Sequence, residues 1–144
     1  MYMASGLTRW GSVPAILLFM RNPAHADARI IYIEDEIDAA PAAVFGAFEA
    51  QLAGDGAVLT RDAETLLTVQ FEMPAELAKL AGHKTVLTLT FEPKGEGTRM
   101  TLTHAGFGKG EAWDEALAWF TRAWPAVVTQ MKVALERAAE RLAA

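Results

Sequence analysis

The chain has 144 residues, of which 52% are hydrophobic, and a formal net charge of −5. This length and composition are typical of one globular domain with a single core. The net charge is negative and lysines and arginines form no cluster, so nucleic acid is not the expected partner. The chain has no cysteine, which excludes disulfides, thiolate catalysis and thiolate metal sites.

Residues 1–28 form an N-terminal extension whose role the sequence leaves open. Val13–Met20 is apolar but far shorter than the ~20 residues of a membrane-spanning helix, so we expect no membrane span. The extension is interpreted as an extra strand, as a non-native leader, or as a signal peptide ending near Ala24-His25-Ala26. We expect a cytoplasmic protein, or an exported one if residues 1–26 are a signal peptide.

Arg29–Asp38 is the first clear strand, because isoleucine recurs there at alternate positions. Asp35 breaks this pattern, since its parity points inward with the isoleucines. We expect a β-bulge that turns Asp35 outward. The alternative is that the Asp35 carboxylate lies beside His104 and fixes its tautomer.

A short helix and two strands come next. Pro41 suits the first turn of a helix, whose apolar stripe is Val44, Phe45, Phe48 and Leu52 and which ends at Gly54-Asp55-Gly56. Ala57–Glu72 predicts two strands joined by a turn at Arg61–Glu64, with Leu67, Val69 and Phe71 facing inward. Met73–His83 is interpreted as a connecting loop with one helical turn at Ala75–Leu80.

A hairpin and a long helix complete the chain. Lys84–Glu92 and Thr98–His104 alternate in polarity, and their inward residues are Leu87, Leu89, Phe91, Met100, Leu102 and His104. Glu111–Leu142 carries apolar residues at steps of three and four along its whole length, which predicts an amphipathic helix. Pro125 lies inside it and predicts a kink near Trp124, or two helices that meet there.

Two blocks of the sequence resemble a known family. The first block, Ile37–Phe45, resembles the first motif of the START-like (SRPBCC, helix-grip) superfamily. The second block resembles one branch of it, the activator of heat-shock protein 90 ATPase homologue group, and consists of Thr98–Phe107, Ala123–Val128 and Leu135. The resemblance implies an α+β helix-grip domain over residues 29–144, in which an antiparallel β-sheet wraps around a long C-terminal helix. The chain has fewer strands than is usual for the family, which implies a smaller cavity between sheet and helix.

A ligand site is expected between the sheet and the long helix. The candidate ligand-binding residues are Phe71, Leu89, Phe91, Met100, Leu102, His104, Phe107, Phe120, Trp124 and Met131. Aromatic side chains with few polar groups are typical of small-molecule pockets. The same residues would equally fill a core.

His104 is the candidate for chemistry. It is interpreted either as a group that hydrogen-bonds a ligand or acts as a general acid or base, or as a histidine satisfied by backbone groups where strand meets helix. We expect neither metal nor cofactor, because the three histidines are far apart in the sequence and none has a second ligand at helical spacing.

The sequence therefore predicts a noncatalytic module that binds a small hydrophobic ligand such as a lipid. Two alternatives remain. One is an interaction module that contacts a chaperone or self-associates as a dimer through the edge of the short sheet. The other is a small cyclase- or hydrolase-type enzyme that uses His104.

Overall fold

The computed structural model describes residues 29–52, Gly54 and residues 56–143. Its elements in chain order are β1 (Ile31–Ile37), α1 (Pro41–Leu52), β2 (Gly56–Asp62), β3 (Leu66–Glu72), a 3₁₀ helix (Ala75–Leu80), β4 (Lys84–Lys94), β5 (Gly97–Ala105) and α2 (Glu111–Ala143). The strand, leader and signal-peptide interpretations of residues 1–28 lie outside the described residues. Mass spectrometry of the purified protein would show whether residues 1–26 are removed.

The five described strands form one antiparallel sheet in the order β1-β5-β4-β3-β2. The central hairpin is tighter than expected, because Lys94 pairs with Gly97 and only Gly95-Glu96 remain as the turn. Gly95 has a φ of 61°, which a glycine adopts without steric penalty. This sheet and the long C-terminal helix confirm the predicted α+β helix-grip class, with five strands in the described part of the chain.

The core lies between one face of the sheet and the two α-helices. Alternate residues of β4 and β5 are buried, and α2 contributes Ala116, Phe120, Trp124 and Val128 to the same layer. Each large apolar side chain stabilises the fold by ~1.5–3 kcal/mol when fully buried. Packing of the one-sided helix on the one-sided sheet therefore holds the domain together.

Helix α2 is one continuous helix of 33 residues that runs through Pro125, so the expectation of two separate helices is wrong. The apolar stripe of α2 is not buried along its whole length, since Leu142 is 88% exposed. A helix of this length spans about 50 Å. The longest strand, β4, has 11 residues and spans about 37 Å. The last turns of α2 therefore extend beyond the described strands.

The turn between β2 and β3 comes later than Arg61–Glu64. Arg61 and Asp62 belong to β2, and the Asp62 carbonyl accepts hydrogen bonds from the backbone N–H of Thr65 at 3.0 Å and from its hydroxyl at 3.1 Å. The Arg61 guanidinium lies 5.2 Å from the Phe45 ring centroid and donates to Glu49, which ties this end of β2 to α1.

The expected β-bulge at Asp35 is wrong. Strand β1 pairs with β5 without a register shift, so Asp35 keeps its inward parity and lies opposite Met100. Its carboxylate is 3.4 Å from the ammonium of Lys132 on α2, and both side chains are about 30% exposed. A partly exposed counter-charge explains why the carboxylate remains on this face. The alternative pairing with His104 is not observed, because His104 lies opposite Ile31, about 13 Å along the strand.

Candidate functional site

His104 lies at the centre of the layer between β5 and α2. Its side chain is fully buried, and both ring nitrogens have hydrogen-bond partners. The Trp124 indole N–H from α2 donates to Nδ1 at 2.9 Å. Nε2 is 2.7 Å from the hydroxyl oxygen of Thr85 on β4. The ring is therefore satisfied by side chains from two other elements, and not by the backbone groups that the sequence suggested.

This geometry fixes the protonation state and the tautomer of His104. An indole nitrogen only donates, so Nδ1 must accept and carries no proton. The single proton of the neutral ring then lies on Nε2, which donates to Thr85 Oγ1. Burial lowers the pKa of His104 from 6.5 to about 4, because the charged form would lose its solvation. At neutral pH this residue is a neutral hydrogen-bonding group.

An aromatic shell surrounds the His104 ring. The ring centroids of Phe120 and Phe107 lie 4.6 and 4.7 Å from that of His104, and those of Phe71 and Trp124 lie 5.7 and 5.8 Å away. Phe120 and Trp124 stack with an angle of 18° between their planes. The arrangement is an apolar environment that encloses the hydrogen bonds of His104 to Thr85 and Trp124.

The other candidate ligand residues are divided between two neighbourhoods. Four of them are buried, with at most 3% of the residue exposed: Leu89, Phe91, Met100 and Leu102. Phe91 packs edge-on against Phe45 of α1 at 5.4 Å, which places it in the part of the core covered by α1. Met131 is only partly buried on α2. The structure therefore brings five of the ten candidates into the His104 cluster: Phe71, His104, Phe107, Phe120 and Trp124.

Thr85 is the residue of this cluster that sequence reasoning missed. It has the same parity as Leu87, Leu89 and Phe91, and it is 1% exposed. Strict alternation along β4 was thus a sufficient signal that its hydroxyl lies in the core. A buried hydroxyl on an inward parity predicts a buried partner, and the partner is His104.

An open groove of about 560 Å³ lies at the opposite end of the sheet from His104, where β1, the β4–β5 turn and α2 meet. Its lining is mostly charged and polar: Asp35, Glu36, Ile37, Asp38, Lys94, Glu96, Gly97, Thr98, Lys132 and Glu136. The backbone N–H of Asp38 donates to Glu136 at 2.8 Å across it. None of the candidate ligand residues lines this groove.

Within residues 29–52, 54 and 56–143, no group of three or more histidine, aspartate or glutamate side chains is arranged to hold a metal ion. In the same part of the chain, no helix is long and apolar enough to cross a membrane.

Comparison with known sequences and structures gives the family. Residues 7–136 match the profile described as Activator of Hsp90 ATPase homolog 1-like protein. The chain belongs to this family. No curated protein matches the chain.

Solved structures similar to this Activator of Hsp90 ATPase homolog 1-like chain share its fold. Protein MLL2253 from Mesorhizobium loti is 16% identical, with a TM-score of 0.62 over 75% of this chain and 97% of the other. The Aha1 dimer from Colwellia psychrerythraea is 15% identical, with a TM-score of 0.57 over 74% and 96%. The self-sacrificing resistance protein CalC from Micromonospora echinospora is 12% identical, with a TM-score of 0.56 over 75% and 94%.

Membership of the Activator of Hsp90 ATPase homolog 1-like family supports a ligand-binding or interaction domain of the helix-grip fold. The similar structures add the fold alone, because fewer than one in five residues is identical.

Proposed function

We propose that this protein is a noncatalytic helix-grip module that binds a small apolar molecule between the sheet and α2. One observation carries the proposal. The described aromatic residues between sheet and α2 surround a buried hydrogen-bonded group in which His104 links Trp124 to Thr85. Apolar sites with a few precisely placed polar groups are the usual form of small-molecule sites.

The ligand enters where the aromatic cluster has a partly exposed rim on α2. Trp113 and Trp119 are partly buried there and contact Phe107 and Phe120, which are almost fully buried. The rings around His104 already contact one another, so a guest must displace rim side chains. This favours a small ligand, in agreement with the small cavity expected from the short sheet.

Catalysis by His104 has less support than binding. Nδ1 already accepts from the Trp124 indole, and Nε2 already donates to Thr85. Neither nitrogen is free to take a proton from a substrate unless this pair of hydrogen bonds breaks.

The proposal is tested by thermal unfolding with a panel of small apolar probes, such as medium-chain fatty acids and naphthalene derivatives. A ligand that binds only the folded state at 100 times its Kd stabilises it by about 2.7 kcal/mol. We expect a saturable rise in Tm for at least one probe. We also expect Trp113→Glu to weaken the response, so that at least tenfold more probe is needed, because it places a charge at the apolar rim beside Phe107.

Val133→Glu is the matched control, since Val133 is exposed on the same helix and is 41% accessible. It should leave the response unchanged. No saturable shift across the panel, or equal losses in both variants, would contradict the proposal.

Self-association through β2 is the second candidate function. Strand β2 is at the edge of the described sheet, and its residues from Ala57 to Asp62 are exposed. Val58 and Leu59 on this strand are 47% and 52% exposed. Exposed apolar side chains on an edge strand favour pairing with another strand. A protein of similar fold is named as a dimer.

The partner proposed for this edge is a second copy of the chain. Light scattering should then show a mass that rises with concentration. Val58→Lys should shift this rise to at least tenfold higher concentration, because edge lysines prevent strand pairing. Val133→Lys, which places the lysine on α2 and not on β2, is the control and should leave the concentration dependence of the mass unchanged. A monomeric mass at all concentrations excludes this candidate.

A further inference from the structure

The hydrogen bond from Trp124 to His104 joins α2 directly to the sheet inside the core. Trp124 is 5% exposed, near the middle of α2, and His104 is near the end of β5. The other polar contacts that α2 makes with β1 and its flanks in the described part of the chain are partly exposed and involve carboxylates: Arg29 with Asp114, Asp35 with Lys132 and Asp38 with Glu136. The bond from Trp124 to His104 is buried instead. This bond exists only while Nδ1 carries no proton.

We propose that His104 and Trp124 form a proton-operated latch, in which protonation of His104 releases the middle of α2 from the sheet. A doubly protonated imidazole has a donor at each nitrogen. Its Nδ1–H then points at the Trp124 N–H, and two donors facing each other cannot bond. The charged ring must either leave its site or push Trp124, and with it α2, away.

The surroundings of His104 supply no compensating charge. The groups that face it are Thr85 and Leu87 of β4, Ile31 of β1 and an aromatic shell from β3, the β5–α2 loop and α2: Phe71, Phe107, Phe120 and Trp124. None of them titrates or is charged. Burial is accordingly what lowers the pKa of this histidine.

The direction of the pH effect follows from the lowered pKa. In the closed state His104 takes up a proton only near pH 4, whereas in an opened state it does so near its ordinary value of 6.5. The latch is thus at full strength above pH 6.5 and weakens as the pH falls towards 4. By linkage, the equilibrium constant for opening should be roughly 20-fold larger at pH 5 than at pH 7.

Native-state hydrogen exchange tests this inference on the full chain. Exchange of the Trp124 indole N–H and of the α2 amides around it is measured at pH 7 and pH 5 and corrected for the intrinsic pH dependence of exchange. We expect the opening constant of these groups to rise roughly 20-fold. In His104→Gln, which does not titrate, the rise should be lost. In His83→Gln, which removes an exposed histidine, it should persist.

Two results would overturn the latch. One is an equal pH response in His104→Gln and the unsubstituted protein. The other is a rise shared equally by the amides in the centre of β3 and β4, since that would mean unfolding of the whole domain and not release of α2.

A measurement on the unsubstituted protein keeps the inference testable if His104→Gln does not fold. Nitrogen-15 NMR of the histidine rings should show His104 as the neutral Nε2–H tautomer at pH 7. It should stay neutral at pH 5, where an exposed histidine is protonated. A His104 ring that titrates near pH 6.5 while the Trp124 indole signal is unchanged would contradict the latch.

Discussion

At the scale of single residues, the alternation of strand residues indicated which face each side chain occupies, but not which side chain it meets. His104 is buried on the predicted face of β5. Its partner Thr85 is two residues away from Leu87, which lies directly opposite His104. Such a diagonal pair depends on strand register, which the sequence alone does not specify. The contact with Trp124 depends further on the rotation of α2.

Thr85→Val measures what the histidine network contributes to stability. Valine has the shape of threonine but leaves the buried Nε2–H of His104 without an acceptor. We expect a loss of about 1–3 kcal/mol in the free energy of unfolding, measured by urea denaturation at pH 7.

Thr88→Val is the matched control for Thr85→Val, because Thr88 is on the same strand with its side chain on the opposite, partly exposed face. It should change the free energy of unfolding by less than about 0.5 kcal/mol. Equal effects of the two substitutions would show that the hydroxyl of Thr85 contributes nothing specific.

At the scale of elements, the strands and helices followed their periodicity, and apart from the β-bulge wrongly expected at Asp35 the errors are at turns and ends. The β2–β3 turn was placed too early because no glycine or proline marks it; Glu64 instead takes a φ of 71°. The stripe of α2 continues beyond the sheet because periodicity shows which face of a helix is apolar but not how far its neighbour extends. The groove was not predicted from the sequence either. Asp35 and Lys132 are 97 positions apart in the chain, so only the fold brings them together.

Pro125→Ala tests how α2 tolerates a proline. The helix continues through Pro125, although proline lacks an N–H and is about 3 kcal/mol less favourable than alanine inside a helix. Part of this penalty is offset because proline also restricts the unfolded chain. We expect Pro125→Ala to raise the free energy of unfolding by about 1–2 kcal/mol in chemical denaturation.

Gln130→Ala is the control for helix propensity, because Gln130 is exposed on the same helix. Its effect should be below about 0.5 kcal/mol. Should Pro125→Ala destabilise the protein, the proline would be required by the packing of α2 against the sheet and not merely tolerated there.

At the scale of the whole molecule, the order of elements was enough to predict a sheet covered by a long helix, because each had one apolar face to bury. Where the domain starts is a separate question. Residue 29 was the predicted start, whereas the family match begins at residue 7. In the structure, the Arg29 guanidinium donates to the Gly108 carbonyl at 2.8 Å and to Asp114 at 2.6 Å. Arg29 thus ties the beginning of β1 to the first turn of α2.

A chain shortened to residues 29–144 tests the predicted boundary. Strand β1 pairs with β5 along all seven of its residues, so the described sheet from β1 to β2 is built from residues after 28. We expect cooperative thermal unfolding and a loss of less than about 1 kcal/mol relative to the full chain. If residues 7–28 instead bury side chains against the domain, each large one contributes ~1.5–3 kcal/mol, and the shortened chain should lose several kcal/mol or fail to fold.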